Sequence, residues 1–250
     1  MLNLLFELEK CGIINFVKIL YIGNISMGLL AIFNNTEHFW YKAIKLLIFV
    51  SVTLFSLSFH EFFHGLIANF LGDSTAKERG RLTLNPLKHL NLIGTICMLF
   101  FRFGWANPVP VDIRKFSHPK RDMALVAIFG PISNLILVFF GFVFLKIYSL
   151  VFIFFFNEIL DYFINYLLIS LIILNLSLCV FNLIPIPPLD GSRVITSFLP
   201  DKIYYLVMKF ETLGMFLVMY LLYQGNLRDI LSRTVLMILN FFYMIFGKLF

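Results

Sequence analysis

Long apolar runs separated by short polar stretches form the main pattern of the chain. A helix that crosses a bilayer needs about 20 mostly apolar residues. Six runs reach that length, and they predict transmembrane helices at 11–33, 43–71, 122–147, 162–184, 203–223 and 230–250. The first is the weakest, because Asn15, Lys18 and Asn24 interrupt it. The predicted fold class is therefore an all-α polytopic membrane protein.

A seventh apolar run, Leu92–Ala106, is shorter than the other six. It has only 15 residues and contains Arg102, so it is too short to cross as a helix. We expect a membrane-immersed re-entrant segment or a short β-hairpin here, between the second and third helices. No stretch has the composition of a soluble accessory domain, so residues 1–250 are predicted to form a single transmembrane domain.

The overall composition agrees with a membrane location. Hydrophobic residues make up 60% of the chain, charged residues 14%, and the mean hydropathy is +0.90, values that exclude an ordinary soluble protein. The formal net charge of +6 could also suit a nucleic-acid partner. Most basic residues, however, lie in loops between apolar runs, where they orient helices in the bilayer. We therefore expect contact with the lipid bilayer and none with nucleic acid.

The charges of the loops predict which side of the membrane each loop occupies. Residues 72–121 contain nine Lys or Arg and three acidic residues, whereas 148–161 contain no basic residue and only Glu158 and Asp161 as acids. Short cytoplasmic loops are enriched in Lys and Arg, so the first stretch is expected in the cytoplasm and the second outside. The whole stretch 72–121 can lie on the cytoplasmic side only if 92–106 does not cross the membrane. Both termini are then expected in the cytoplasm.

The second apolar run contains the strongest candidate chemistry, the motif His60-Glu61-x-x-His64. On a helix, histidines four residues apart project from one face, so both imidazoles can bind one Zn²⁺ while the glutamate activates a water. Within 43–71 the only other titratable residue is Lys45. Because a charge at the bilayer centre costs about 2.5–3.5 kcal/mol on insertion scales, unliganded groups here would be expensive. The pattern predicts an intramembrane zinc site, about 16 Å from the cytoplasmic end of its helix at 1.5 Å per residue.

A third ligand is predicted after the fourth apolar run. Catalytic zinc is usually held by three protein ligands, and Asp190 is the outstanding candidate. It follows a proline-rich stretch, 185–188, that must end or unwind the helix, and Gly191 then lets the backbone turn. The amide of Asn182, near the end of that helix, could donate a hydrogen bond to the oxyanion of a tetrahedral intermediate. The alternative for Asn182 is simple packing between membrane helices.

These motifs together resemble the site-2 protease family of intramembrane zinc metalloproteases. The resemblance rests on His60-Glu61-x-x-His64 and on Asn182-x-x-Pro-x-Pro-Pro-Leu-Asp190-Gly191, with Gly130-Pro131-x-x-Asn134 between them. It covers about 45–193, so the catalytic core is expected at about 43–200. The stretches 81–89 and 104–111 resemble the short bacterial and archaeal members without accessory domains. Two positions depart from that pattern, since Asn91 stands where an aspartate is expected and Asn107 where a lysine is common.

The resemblance implies an activity and residue roles. His60, His64 and Asp190 would hold one zinc ion per chain, and Glu61 would be the general base. Asn134 is a candidate for positioning substrate; the alternative is that Gly130 and Pro131 only kink the helix and allow close packing. The expected reaction is hydrolysis of peptide bonds in or near transmembrane segments of membrane protein substrates. The expected location is a prokaryotic plasma membrane, as a multi-pass protein whose active site lies toward the cytoplasm.

Two other functions remain open at this point. A membrane zinc transporter or metal sensor could use the same ligands without hydrolysis, although transport favours several successive sites and the sequence has one cluster. A catalytically inactive scaffold could bind membrane segments, although every residue of the minimal catalytic set is present. The oligomeric state is not indicated by the sequence.

Overall fold

The computed structural model describes residues 38–91, 107–152 and 157–247, and most of these residues are helical. The helices, in chain order, are α1 (Phe39–Phe70), α2 (Thr75–Glu78), α3 (Pro119–Ile147), α4 (Glu158–Asn182), α5 (Asp190–Thr196), α6 (Asp201–Lys209), α7 (Glu211–Gln224) and α8 (Asn226–Gly247). Short 3₁₀ turns lie at Pro86–Lys88 and Ile113–Lys115, and a π turn at Tyr148–Phe152 extends α3. No β-strand occurs within these described ranges.

Four of the described helices are long and apolar enough to cross a membrane. They are α1, α3 with its extension to Val151, α4 and α8, and they confirm the predicted helices at 43–71, 122–147, 162–184 and 230–250 as candidate spans. The chain is a membrane protein on this basis. The predicted helix 11–33 and the predicted re-entrant segment or β-hairpin at 92–106 lie outside the described residues.

The predicted helix 203–223 is divided into α6 and α7, which meet at an angle of 64° and together form a fifth candidate span. Two contacts hold the start of α7 after the bend. Glu211 Oε1 lies 3.4 Å from Arg193 Nη2 on α5. Gly214 lies so close to the chain before α5 that an added Cβ would be 2.2 Å from the carbonyl oxygen of Pro187. The bend therefore packs α7 against the segment that carries Asp190.

On α1, most of the buried side chains are small or polar, whereas several large apolar side chains are exposed. On α1 the buried residues are Lys45, Val52, Thr53, Ser56, Ser58, His60, Gly65 and Ala68. On the same helix Phe39, Trp40 and Phe70 are 69–74% exposed. A soluble helix would turn its polar side to water, so this distribution is the one expected of a bundle surrounded by lipid.

α3 is the central helix and packs against α1, α4 and α5. Its close approach to α4 depends on Gly141, because an added Cβ would lie 2.6 Å from Cγ1 of Ile172. A buried hydrogen bond joins α4 to α1, from Asn175 Nδ2 to Ser56 Oγ at 2.8 Å. These contacts hold the middle of α1 between α3 and α4.

The residues that flank the run 92–106 are hydrogen-bonded to each other. Asn91 Nδ2 donates to Asn107 Oδ1 at 2.8 Å, and the Asn107 backbone N–H donates to the His89 carbonyl at 2.7 Å. The described residues on either side of the run therefore lie next to each other. Asn91 and Asn107 are the two positions that depart from the family pattern, and here they form a neutral amide pair.

The proline-rich turn after α4 delivers Asp190 to the bundle. α4 ends at Asn182, and α5 begins at Asp190 after a stretch containing three prolines. Gly191 allows α5 to pack directly on the end of α4, because an added Cβ would lie 2.2 Å from the carbonyl oxygen of Leu183. The start of α5 thereby lies close to α3 and α1 rather than beyond the bundle.

Candidate metal centre

His60 and His64 project from the same face of α1, as the four-residue spacing predicts. Their Nε2 atoms are 3.0 Å apart. His60 is 6% exposed, so this face of α1 lies inside the bundle. α1 ends at Phe70, ten residues after His60, which corresponds to about 15 Å at 1.5 Å per residue.

Asp190 completes a triangle of possible ligand atoms. Its Oδ2 lies 3.2 Å from Nε2 of His60 and 3.3 Å from Nε2 of His64. Tetrahedral zinc with ligands at about 2.0–2.1 Å has ligand atoms about 3.3 Å apart, so the triangle has the size of one face of such a tetrahedron. Among the described residues, His60, His64 and Asp190 form the one group of three or more His, Cys, Asp or Glu side chains whose ligand atoms lie close enough together to hold a metal ion.

The chemistry of the three atoms also fits a cation. His64 Nδ1 donates to the carbonyl oxygen of Val126 at 2.8 Å, so in the neutral ring Nε2 carries a lone pair and no proton. Asp190 Oδ2 is buried and has no hydrogen-bond donor. Lone pairs that face one another at 3 Å repel unless a cation lies between them. The donor set of two imidazoles and one carboxylate is one that zinc prefers.

Gly130 on α3 forms one wall of the site. A Cβ added to it would lie 2.4 Å from Cε1 and 2.5 Å from Nε2 of His64, and 2.6 Å from Cε1 of His60. Because real Cβ atoms do not come so close, only glycine allows α3 to pack directly on both imidazole rings. The Gly130 carbonyl accepts a hydrogen bond from Ser133 Oγ on the same helix at 2.6 Å.

The side-chain amide of Asn134 lies against His60. Asn134 is fully buried, and its amide group is 3.3 Å from Nδ1 of His60. Its Oδ1 has no partner, and turning the amide by 180° would bring that oxygen to Nδ1. Such a bond fixes the tautomer that leaves Nε2 free to bind a metal. Substrate positioning by Asn134 stays a prediction.

Glu61 lies beside the non-helical segment that follows the run 92–106. Its Oε2 accepts a hydrogen bond from the backbone N–H of Val109 at 2.8 Å. The side chain of Asn182 donates to the Leu178 carbonyl of its own helix at 3.0 Å. The predicted oxyanion role of Asn182 is therefore neither supported nor opposed by this contact.

Comparison with known proteins identifies a similar chain in Bacillus subtilis (strain 168), named "Putative zinc metalloprotease YwhC". The two are 41% identical over 196 residues, which cover 76% of this chain and 88% of the Bacillus protein. The chain belongs to the site-2 protease-like zinc metalloprotease family. No family model matches the chain, and no solved structure matches it.

The geometry of the site also identifies residues of this site-2 protease-like chain that the sequence alone did not indicate. Asn175 is fully buried and bonds Ser56, which lies one turn before His60 on α1. The carbonyl of Val126 orients His64, and the N–H of Val109 meets Glu61. A buried asparagine in an apolar run is a sequence signal that could have drawn attention to Asn175. The two backbone contacts have no such signal, because any residue carries those atoms.

Proposed function

We propose that this protein is an intramembrane zinc metalloprotease that hydrolyses peptide bonds in or near transmembrane segments of membrane protein substrates. One observation carries the proposal: the ligand atoms of His60, His64 and Asp190 converge within 3.0–3.3 Å inside a bundle of apolar helices. Membership of a zinc metalloprotease family agrees with that geometry. One zinc ion per chain is the cofactor that the three residues would hold.

The residues around the ligands have separate roles in the proposed hydrolysis. Zinc, when bound, supplies Lewis acidity that lets a water molecule lose a proton near neutral pH. Glu61 accepts that proton, and the water oxygen forms a bond to the carbonyl carbon of the substrate. Glu61 then donates the proton to the amide nitrogen, which leaves as an amine when its bond to that carbon breaks. Asn182 would donate a hydrogen bond to the oxyanion formed in between. Val126 bonds Nδ1 of His64 and Asn134 bonds Nδ1 of His60, and these contacts hold the two imidazole rings in place.

The site is proposed to face the cytoplasm from within the membrane. The basic loops at 72–91 and 107–121 support a cytoplasmic position for the C-terminal end of α1. The hydrogen bond between Asn91 and Asn107 supports a re-entrant path for 92–106, because it places the residues before and after that run next to each other. Water would reach the site from that side. The protein would be a multi-pass protein of a prokaryotic plasma membrane.

The non-helical segment after Asn107 is proposed to present a substrate. A helical peptide hides its scissile bond in backbone hydrogen bonds, so the substrate must be locally extended before it is cut. Arg81 bonds the backbone of this segment at Asn107 and Pro108, Glu61 bonds it at Val109, and Asp73 bonds it at Asp112. No described residue is hydrogen-bonded to the backbone of Val111. Val111 is therefore the proposed place for strand addition by the substrate.

Transport or sensing of zinc is the less supported function. A transport path needs successive metal sites, and the described residues contain one such group. A metal sensor would have no use for a glutamate beside the first ligand. An inactive scaffold would likewise have no need for His60, Glu61, His64 and Asp190 together.

The substrate class is tested by comparing membrane and soluble substrates. Purified protein in lipid vesicles is incubated with a panel of single-span model proteins and, separately, with casein, each with zinc and with a chelator. We expect the initial rate on the best single-span substrate to exceed that on casein at least about tenfold, because only a membrane segment reaches the immersed site. Mass spectrometry should map the cuts to the apolar segment or its edges. Equal cleavage of casein, cuts confined to soluble tails, or activity unaffected by the chelator would contradict the proposal.

A further inference from the structure

The backbone of Val109 makes a contact with Glu61 that metal binding does not require. The N–H of Val109 donates to Glu61 Oε2 at 2.8 Å, and Val109 is 6% exposed. The bond occupies one carboxylate oxygen. Oε1, to which no described residue donates, remains for proton transfer. A carboxylate held by one oxygen cannot rotate freely, so the contact selects one orientation of the other oxygen.

Val109 contacts the same face of α1 a second time through its side chain. Gly65 lies one turn after Glu61, and a Cβ added to Gly65 would be 3.1 Å from Cγ1 of Val109. The valine side chain therefore sits directly on the α1 backbone. The position of its N–H relative to Glu61 is determined by packing as well as by the hydrogen bond.

Both sides of Val109 are anchored to the rest of the protein. Before it, Arg81 Nη2 donates to the carbonyl oxygens of Asn107 at 2.8 Å and Pro108 at 3.3 Å. After it, the N–H of Asp112 donates to Asp73 Oδ2 at 2.7 Å. The segment Asn107–Asp112 is thus fixed at each end and crosses Glu61 in between. We call this segment the strap.

Asp73 is a strong anchor for the strap because it is ionised. Burial alone would raise the pKa of Asp73, but hydrogen bonds from Thr75 and from the Asp112 N–H hold that pKa below its ordinary value. Its side chain is fully buried, and its Oδ1 accepts from the Thr75 N–H at 3.0 Å. Hydrogen bonds to an ionised acceptor are stronger than those between neutral groups.

The sequence of the strap leaves few backbone donors. Pro108 and Pro110 flank Val109 and have no N–H, and they restrict the backbone around it. Between Pro108 and Asp112 only Val109, Val111 and Asp112 can donate. Val109 therefore supplies the donor that meets Glu61, and its neighbours restrict its movement.

We propose that the strap is a positioning element for Glu61: its anchored Val109 N–H holds one carboxylate oxygen and thereby aims the other at the reacting water. The role of Glu61 as base rests on the proposed function, whereas the contact itself does not. Val109 acts through Glu61 and touches neither the metal ligands nor the reacting atoms. It is a positioning residue.

The kinetic test replaces Val109 by proline, which removes the N–H, with Val109→Ala as the matched control that keeps it. Loss of a hydrogen bond to a charged group predicts a fall in kcat of about tenfold or more for Val109→Pro. KM and zinc content should stay near those of the unmodified protein, and Val109→Ala should keep most of kcat. Asp73→Asn, which weakens one anchor without altering Val109, should lower kcat less than Val109→Pro does and in the same direction.

Hydrogen exchange measured by mass spectrometry tests the contact without any substrate. In a peptide that starts before Asn107, the only strap amides after Pro108 are those of Val109, Val111 and Asp112. We expect Glu61→Ala to remove protection from one amide and Asp73→Ala to remove protection from another. Unchanged exchange in Glu61→Ala would overturn the contact. A Val109→Pro protein with normal zinc and normal kcat, or equal losses in Val109→Pro and Val109→Ala, would overturn the positioning role. If the unmodified protein cleaves no substrate, the proposed function fails while the exchange result still decides the contact.

Discussion

Replacing Glu61 by glutamine is expected to abolish hydrolysis while zinc stays bound. Glutamine has the same shape as glutamate, and its carbonyl oxygen can still accept the hydrogen bond from Val109 that the structure shows at 2.8 Å. It cannot accept the proton of the attacking water. Loss of a general base predicts a fall in kcat of about 10²–10⁴-fold. The measurement is the initial rate on a single-span membrane substrate, paired with zinc content by mass spectrometry.

Glu158→Gln is the matched control for this exchange. Glu158 is an exposed residue in the first turn of α4 and has no contact with the metal centre. It should retain both zinc and full activity. Equal product from the unmodified protein and from Glu61→Gln would show that another group acts as the base.

Replacing Gly130 by alanine is expected to remove zinc and activity together. The new Cβ would lie within 2.4–2.6 Å of ring atoms of His64 and His60. Neither ring can move away freely, because Val126 and Asn134, one turn before and one turn after Gly130 on α3, bond them. Alanine is a better helix former than glycine by about 0.8–1.0 kcal/mol, so α3 itself should persist. By analogy with the loss of ligand-orienting contacts, zinc affinity should fall by about 100-fold, and activity with it.

Gly141→Ala separates this effect from general damage to α3. Gly141 is also tightly packed, but its added Cβ would meet Ile172 on α4 at 2.6 Å and no histidine. We expect it to weaken packing between the helices and to leave zinc affinity close to normal. Titration of zinc into the metal-free proteins measures the difference. Full zinc affinity in Gly130→Ala would mean that the rings and α3 are not in the contact described.

The grouping of the three candidate metal ligands could be predicted from sequence because it depends on simple local rules. Helix geometry places His60 and His64 on one face, and the proline-rich turn explains why a carboxylate at Asp190 leaves the line of α4. The membrane setting follows from the length of the apolar runs. Each of these signals lies within one stretch of the chain, so it can be recognised from a single sequence.

The parts that depend on contacts between distant segments could not be predicted. The bend between α6 and α7 falls inside one apolar run, and its partners, Arg193 and Pro187, precede it in the chain. The reason for Gly130, its contact with two imidazole rings, depends on how α3 packs on α1. The bond between Val109 and Glu61 joins residues 48 positions apart through a backbone atom.

Asn91 and Asn107 both differ from the family pattern, and the structure shows that they contact each other. Taken singly, each residue is a deviation from the family pattern, where an aspartate and a lysine are expected. In the structure they bond each other at 2.8 Å, so the residues on either side of 92–106 lie next to each other. A pair of neutral amides keeps this contact without two charged side chains.

X-ray absorption at the zinc edge, combined with zinc stoichiometry, measures whether His60, His64 and Asp190 bind zinc together. We predict one zinc per chain, bound by two imidazole nitrogens and a carboxylate oxygen, with zinc lost from His60→Ala and from Asp190→Ala. The structural reason is that Asp190 Oδ2 lies within 3.2–3.3 Å of both Nε2 atoms. An unchanged spectrum and full zinc content in Asp190→Ala would contradict it, since zinc would then be bound without the ligand that α5 supplies.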